Sequence, residues 1–281
     1  MAVVTSPSKP RARAGIRPKP TLVIGLGLLA LFLFAAVFPN VIAPYSPTQF
    51  DYNAILQPPS AEHLFGTDNF GRDVFSRVVW GARVDMQIAL FTTLFPFVFG
   101  TFVGVLAGYA GGWFDALFGR IVDVVIVFPF LILVIAIVAI LGPGLENMYL
   151  AVSAVGWVYY ARLVRGETLV QKGAEYVQAG RVMGYSPSRI VFRHIFPNVV
   201  TTSIVYLMTD MSLGILLGAS LGYLGLGAQP PTPEWGVMVA DGKNFMVTAP
   251  WISSFPGLVL TLAGVTFSLI GDGLADVLRP K

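Results

Sequence analysis

The sequence Gly-Ala-Ser-Leu-Gly at residues 218–222 has residue types and a spacing that could do chemistry. It matches G-x-S-x-G, the strand-to-helix turn that presents a nucleophilic serine in many hydrolases. Here no strand precedes the pattern, because it lies within a long apolar run, and a base would have to come from His63 or His194. The predicted topology puts both histidines at other depths. We therefore predict that the small residues allow close helix packing and that no residue is catalytic.

Asp210 is a second group of chemical interest, because it lies deep in the apolar run "IVYLMTDMSLG". A carboxylate inside a membrane is costly and usually faces a cavity or a partner group. Asp210 is therefore a candidate residue of a pathway through the membrane. The alternative, a structural hydrogen bond to a neighbouring helix, is the one that its position favours.

The whole chain is more apolar than a soluble protein. Of its 281 residues, 55% are hydrophobic and 12% are charged, and the mean hydropathy is +0.73. This composition indicates an integral membrane protein. The net charge of +3 does not indicate a nucleic-acid partner, because Lys and Arg are spread among apolar runs, where topology explains them. Cysteine is absent, which excludes disulfides and thiolate sites, and the two histidines argue against a metal site.

Six apolar runs are candidate transmembrane helices, since about 20 apolar residues cross the hydrocarbon. They are residues 21–42, 86–110, 121–141, 148–164, 199–226 and 252–271. The fourth run is short, and its Arg162 must reach the interface or pack against another group. The sequence thus predicts an all-α membrane protein with six spans.

The positions of Lys and Arg predict that both termini lie in the cytoplasm. With that orientation, most of the 18 basic residues are cytoplasmic, as the positive-inside rule requires. The external exceptions are Arg72, Arg77, Arg83 and Lys243. Residues 1–20 are predicted to be a flexible basic tail in the cytoplasm, residues 86–275 a five-helix core, and residues 276–281 a cytoplasmic C-terminus.

Two external loops are predicted. In the loop 43–85, the end "GRDVFSRVVWGARVD" places its apolar residues on one helical face, which predicts a helix along the membrane surface. The same residues could instead simply lead into the second span. The loop 228–250 is stiffened by prolines, and Trp235 and Trp251 are predicted to be anchors at the membrane interface.

The segment "EYVQAGRVMGYSPSRIVFRHIFPN", residues 175–198, concentrates charge on the cytoplasmic side. Its pattern predicts a helix that Gly184 ends, then a second helix with Ser186 as N-cap and Pro187 at its first position. Pro197 is predicted to close this piece before the fifth span. Small residues in the segment would let another protein's backbone approach closely, so we interpret it as a docking element.

This segment resembles the EAA loop of permease subunits of bacterial ABC importers. Gln178, Ala179 and Gly184 align with the motif, Gly180 takes the place of its second alanine, and Pro197 closes it. Three further blocks resemble the second subunit of the dipeptide and oligopeptide permease family. They are residues 63–85, 115–133 and 220–242, and just before the last block the family commonly has Glu where this chain has Gly218.

The resemblance implies the type I ABC importer permease fold, without enzymatic activity in this chain. It also implies that residues 165–198 form a coupling segment that fits a cleft on a cytoplasmic ATPase subunit. The residues carried over as ATPase-coupling residues are Glu175, Gln178, Ala179, Gly180, Arg181, Gly184, Arg189 and Pro197. Asp210 could then meet the amino terminus of a peptide in the pathway.

The expected partners follow from the same resemblance. No GxxxxGK[ST] phosphate loop occurs in the chain, so no cofactor is expected here, and ATP and magnesium would be used by one or two ATP-binding subunits. A homologous permease would complete the pathway in the bacterial cytoplasmic (inner) membrane. An extracytoplasmic substrate-binding protein would dock over the two external loops.

The substrate stays open at this point. Di- or oligopeptides are implied, but relatives with the same motifs carry nickel chelates, glutathione, sugars or other small solutes. A secondary transporter is an alternative of another class, but it would need ion-coupling residues and usually internal repeats, and no convincing repeat is present. An intramembrane hydrolase would need the serine geometry rejected above.

Overall fold

The structure, a computed structural model, describes residues 19–278. Residues 1–18 of the predicted tail and residues 279–281 of the predicted C-terminus lie outside this range. The described residues form helices and no strand, which confirms the all-α class. In chain order the α-helices are α1 (Pro20–Val37), α2 (Pro39–Ile42), α3 (Val74–Ala110), α4 (Gly112–Val127), α5 (Phe130–Leu141), α6 (Leu145–Lys172), α7 (Glu175–Val182), α8 (Pro187–Ile190), α9 (Phe196–Tyr223), α10 (Trp235–Gly242) and α11 (Trp251–Leu278).

Among residues 19–278, four helices are long and apolar enough to cross a membrane: α1, α3, the continuous helix Pro187–Tyr223, and α11. A fifth span results if α4 and α5 are counted as one broken helix. The predicted fourth span lies in α6, which has 28 residues but carries Arg162 and Arg165. The helices therefore give four or five clear spans where the sequence predicts six.

The predicted span 121–141 is not a single straight helix. α4 and α5 meet at an angle of 86°, and the break falls at Phe128 and Pro129. Proline cannot donate a helical hydrogen bond and restricts the residue before it. The sequence does not reveal this break, because the residues on both sides of it are mostly apolar.

Residues 74–85 do not form a separate helix on the membrane surface, so that prediction is wrong. They are the first turns of α3, which runs without interruption to Ala110. Asp73 caps this helix by accepting a hydrogen bond from the Ser76 N–H at 2.7 Å. Apolar Val78 and polar Arg77 are both buried. The loop before α3 covers the face that would otherwise meet water.

A row of glycines brings α3 and α6 into close contact. Gly100, Gly104 and Gly108 all face α6, and a Cβ at Gly104 would lie 2.6 Å from the Ala161 carbonyl oxygen. Small residues at this spacing are a common basis of helix association in membranes. The contact fixes α6, which in turn positions the predicted coupling segment that follows it.

Replacing Gly104 by valine is expected to lower the free energy of unfolding by about 1–3 kcal/mol, because the added atoms overpack the helix contact. Thermal unfolding of the purified protein in detergent measures this effect. Gly119→Val is the control, since Gly119 is also helical and no atom lies within 4 Å of a Cβ there. Equal loss of stability in both variants would contradict close packing as the cause.

The largest buried cluster joins α1, α3, α10 and α11, with Phe32, Val78, Trp235 and Phe267 among its members. A separate cluster lies where α3 and α6 meet the predicted coupling segment. The first cluster holds the loops on one side of the spans, and the second holds the segment on the other.

Candidate coupling surface and intramembrane cavity

The predicted coupling segment has the local structure that its sequence indicates. α7 ends at Val182, and Gly184 follows in the left-handed region with φ +75°. The Gly184 N–H donates to the Arg181 carbonyl at 3.0 Å. Ser186 then caps α8, accepting from the Arg189 N–H at 3.4 Å. The predicted glycine stop and serine cap are both confirmed.

Pro197 does not close this piece, which corrects the prediction. α8 continues through a π-helical turn, Val191–Ile195, into α9. Pro197 occupies an early position of α9. Within the longer helix Pro187–Tyr223, Pro197 lies just after the π-helical turn, where the hydrogen-bond pattern of the helix changes. One helix, Pro187–Tyr223, therefore joins the predicted coupling segment to the apolar span that follows it.

One face of the coupling segment packs against the long helices. Val177 of α7 is fully buried and packs in a cluster with Ile190 and Ile195. The same cluster includes Val105 of α3 and Val164 of α6. Burying side chains of this size stabilises each contact by about 1.5–3 kcal/mol. This cluster packs α7 against α3, α6 and α9.

Side-chain hydrogen bonds tie α7 to the start of α9. The Asn198 amide donates to the His194 carbonyl at 2.7 Å and to the Tyr176 hydroxyl at 3.3 Å. The Tyr176 hydroxyl itself donates to Gln171. Burial raises the pKa of Tyr176. Sequence reasoning missed Tyr176 and Asn198, since their pairing depends on the π-helical turn.

The opposite face of the segment is apolar and exposed. Val182 is 89% exposed, Met183 is 61% exposed and Phe192 is 59% exposed. Exposed apolar groups of this kind often mark protein interaction sites. Arg181 and Arg189 are exposed beside them. The arrangement can accept another protein without rearranging the anchored face.

Most of the predicted coupling residues lie at the surface. The exposed ones are Glu175, Gln178, Ala179, Arg181, Gly184, Arg189 and Pro197. Gly180 differs, since it is buried and a Cβ there would lie 3.3 Å from the Tyr185 ring. Its small size serves packing inside the segment, which corrects the interpretation that it admits another backbone. The Gln178 amide donates to the Lys172 carbonyl at 3.2 Å, a contact within this chain.

On the other side of the spans, a buried ion network holds what we call the loop cap, residues 43–73 together with α10. Arg72 Nε donates to Asp68 at 2.6 Å, and Arg77 Nε lies 3.7 Å from the same oxygen. Asp241 of α10 lies 3.5 Å from Arg72 and 3.8 Å from Arg77. Both arginines are at most 4% exposed, although the sequence pattern predicts that they face water.

Two buried acidic groups complete the junction between α3 and α10. Glu234 caps α10, accepting from the N–H groups of Gly236 and Val237 at 2.6 and 2.8 Å. Burial raises the pKa of Glu234. Asp85 accepts from the Trp235 N–H at 3.1 Å. The start of α10 is thus fixed against α3 by carboxylates that have no contact with solvent.

The tryptophans predicted as interface anchors have other roles. Trp235 is fully buried and its ring N–H donates to the Val78 carbonyl at 2.9 Å. Trp251 is partly buried and donates to the Thr67 carbonyl at 3.0 Å. Both side chains join the loop cap to helices, and the anchor interpretation is wrong for Trp235.

The Gly-Ala-Ser-Leu-Gly sequence is helical and lies in α9. A Cβ at Gly218 or Gly222 would lie 2.5 or 2.1 Å from side chains of neighbouring elements. The Ser220 hydroxyl donates to a carbonyl of its own helix at 2.7 Å. His63 pairs with Asp73 in the loop cap, and His194 lies in the π-helical turn. The pattern therefore serves packing, as predicted, and offers Ser220 no base.

Asp210 lines a cavity of about 410 Å³ between α3, α5, α6 and α9. Its carboxylate accepts a hydrogen bond from the Tyr160 hydroxyl of α6 at 2.9 Å. Tyr206 contacts the Tyr160 ring edge to face, with 4.8 Å between centroids, and also lines the cavity. Both sequence interpretations of Asp210 are thus compatible with its position: it has a structural hydrogen bond and it faces a cavity.

Comparisons with known proteins agree with these features. Residues 100–281 match the family model described as binding-protein-dependent transport system inner membrane component. Residues 13–59 match the model described as N-terminal TM domain of oligopeptide transport permease C.

Two curated relatives span most of the chain. Dipeptide transport system permease protein DppC of Alkalihalophilus pseudofirmus is 43% identical over 259 residues, 92% of this chain and 85% of the relative. Glutathione transport system permease protein GsiD of Pectobacterium atrosepticum is 42% identical over 262 residues, 92% of this chain and 87% of the relative.

A solved structure of the methionine ABC transporter MetNI, in inward-facing conformations, is similar in fold. The TM-score is 0.60 with 18% sequence identity, and the match covers 73% of this chain and 97% of that chain.

Proposed function

This chain belongs to the family of binding-protein-dependent transport system inner membrane components, and we propose that it imports short peptides. It is a permease subunit of an ABC importer and an integral membrane protein with several spans. The names of its relatives support a dipeptide as substrate, with glutathione as the second candidate. Uptake of labelled dipeptide that excess glutathione does not reduce would favour the first.

We propose six transmembrane helices with both termini in the cytoplasm. Six spans result when α4 and α5 form one broken span and α6 forms another, beside the four clear ones. Lys and Arg support this orientation, since it leaves few of them outside. The bacterial relatives support the bacterial cytoplasmic membrane as the location.

The ATP-binding partners are proposed to dock on the coupling segment. The observation that carries this proposal is the contrast between the anchored Val177 and the 89% exposed Val182 on the same short helix. A partner that binds the exposed face of α7 and moves it would also move the buried face of the same helix. ATP and magnesium would be bound and ATP hydrolysed in one or two partner subunits, and not in this chain.

A homologous permease is proposed to form the other half of the pathway, with Asp210 as a pathway residue. An extracytoplasmic substrate-binding protein would dock on the loop cap. The ion network supports that role, since it holds a large irregular loop in one arrangement and so provides a preformed surface. Preformed surfaces bind with less ordering cost than mobile ones.

Co-purification tests this assignment. A tagged chain expressed with its neighbouring transport subunits is expected to recover ATP-binding subunits, while the chain purified alone hydrolyses no ATP. Val182→Asp is expected to reduce the recovered ATPase about tenfold, since a charge placed in an apolar interface costs at least about 1.4 kcal/mol. Val247→Asp is the matched control, because Val247 is 96% exposed in the loop before α11. ATPase activity of the chain alone, or equal recovery from both variants, would contradict the proposal.

A further inference from the structure

The cavity beside Asp210 has the size of a small-molecule site. Its volume of about 410 Å³ falls within the range of about 300–1,000 Å³ usual for ligand pockets. Residues of four helices line it, so ligand binding there would contact elements that the coupling segment also moves. Among the described residues that line it, Asp210 is the one that carries a charge.

The Asp210 carboxylate has a hydrogen-bond donor but no counter-charge. Tyr160 donates to one oxygen at 2.9 Å. None of the ion pairs found among residues 19–278 includes Asp210. An unpaired carboxylate at this depth is costly. A cation that enters the cavity would therefore be stabilised there.

Three hydroxyl groups of the cavity already have hydrogen-bond partners. The hydroxyls of Thr92, Thr93 and Ser220 each donate to a carbonyl of their own helix at 2.7 Å. Aromatic rings supply much of the remaining wall, including Phe130 and Tyr206. Aromatic faces attract cations and tolerate varied apolar groups. The cavity can thus bind one positively charged group and has little selectivity for the rest of the solute.

We propose that Asp210 binds the protonated amino group of the transported peptide as the peptide passes through this cavity. The inference rests on the proposed function and names the substrate group that its pathway recognises. Dipeptides and glutathione both carry a free α-ammonium group, so the same contact serves either substrate. Tyr160 acts as a positioning residue, since its hydroxyl orients the carboxylate.

Cysteine labelling tests the inference, because the chain has no cysteine of its own. Ser220→Cys is introduced in the complete importer in nanodiscs, and labelling of this chain by cationic and anionic methanethiosulfonate reagents is followed by mass spectrometry. Val247→Cys, at an exposed position outside the cavity, gives the reference ratio of rates. The cationic preference is the rate of labelling by the cationic reagent divided by the rate of labelling by the anionic reagent. At Ser220→Cys this preference is expected to be about tenfold higher than at the reference position, which corresponds to about 1.4 kcal/mol of attraction.

Asp210→Asn supplies the decisive comparison, since asparagine can still accept from Tyr160 but has no charge. It is expected to abolish the cationic preference, whereas Tyr160→Phe, which keeps the charge, retains it. Millimolar Ala-Ala is expected to slow labelling at Ser220→Cys, and N-acetyl-Ala-Ala is not. No reaction at Ser220→Cys, equal protection by both peptides, or an unchanged preference in Asp210→Asn would overturn the inference.

Dipeptide uptake by the unaltered importer, measured with its binding protein, separates the two claims. Dipeptide uptake without the expected labelling pattern would contradict the binding role of Asp210 but not the proposed substrate class. The expected labelling pattern without dipeptide or glutathione uptake contradicts the proposed substrate class.

Discussion

Replacing Asp68 by asparagine is expected to lower the free energy of unfolding by about 3–5 kcal/mol, the usual effect of removing one partner of a buried ion pair. Asp68 is 2% exposed and compensates Arg72 and Arg77, which have little access to water. Without its charge, the partly exposed Asp241 is the one acidic residue within 19–278 that still forms ion pairs with the two guanidinium groups. Thermal unfolding of the purified chain measures the loss.

Asp51→Asn is the matched control for this prediction. Asp51 lies in the same loop and is exposed, and no ion pair with a described residue involves it. Its change of charge is expected to alter stability by no more than about 0.5 kcal/mol, as is usual for surface substitutions. Comparable destabilisation by the two substitutions would show that the network does not hold the loop cap.

Gly184→Val is expected to reduce substrate uptake by about tenfold or more, with insertion into the membrane unchanged. A β-branched residue at φ +75° is strained by about 1–2 kcal/mol, so the turn would shift and change the angle between α7 and α8. A cost of about 1.4 kcal/mol in the coupled step corresponds to a tenfold loss of rate. Uptake in membrane vesicles, with the amount of inserted chain determined in parallel, measures the effect.

Two variants separate coupling from simple strain. Gly184→Asn is expected to retain most uptake, because asparagine enters the left-handed region more readily. Gly225→Val places the same strained residue at φ +76°, with no atom within 4 Å of its Cβ, outside the coupling segment. Normal uptake by Gly184→Val, or equal loss in Gly225→Val, would argue against a mechanical role for the Gly184 turn.

Features that depend on neighbouring residues in the sequence were predictable. The helix cap at Ser186 and the left-handed Gly184 both follow from local backbone chemistry. The apolar periodicity likewise identified the helical class and most helix positions.

Features that depend on distant contacts were not predictable. The sequence pattern predicts that Arg72 and Arg77 face water. Their ion pairs with Asp241 form only when the chain folds and brings α10 close to them. The burial of Gly180 was also not predictable from the sequence. Gly180 packs against the Tyr185 ring, and this contact exists only because the turn between α7 and α8 folds Tyr185 back onto α7. The Pro197 prediction was wrong because a π-helical turn precedes it, which the sequence does not signal.

For the candidate site, Asp210 was identifiable from sequence as a carboxylate in an apolar run. Its Tyr160 partner and its cavity were not, because they require the packing of α6 against α9. The segment 175–198 was interpreted as a docking element because its sequence predicts two capped helices that carry small residues. Which of its residues point inward, such as Val177, became clear only with the fold.

The ion network of the loop cap also has a consequence for biogenesis. Asp68, Arg72 and Arg77 precede Asp241 and the rest of α10 in the sequence and are therefore synthesised first. The cap cannot close until α10 has also been synthesised. Until then the arginines lack one of their acidic partners, and a nascent chain stalled or truncated before α10 presents an open, charged loop. Proteases that survey unassembled membrane proteins are expected to cut such chains in residues 43–73.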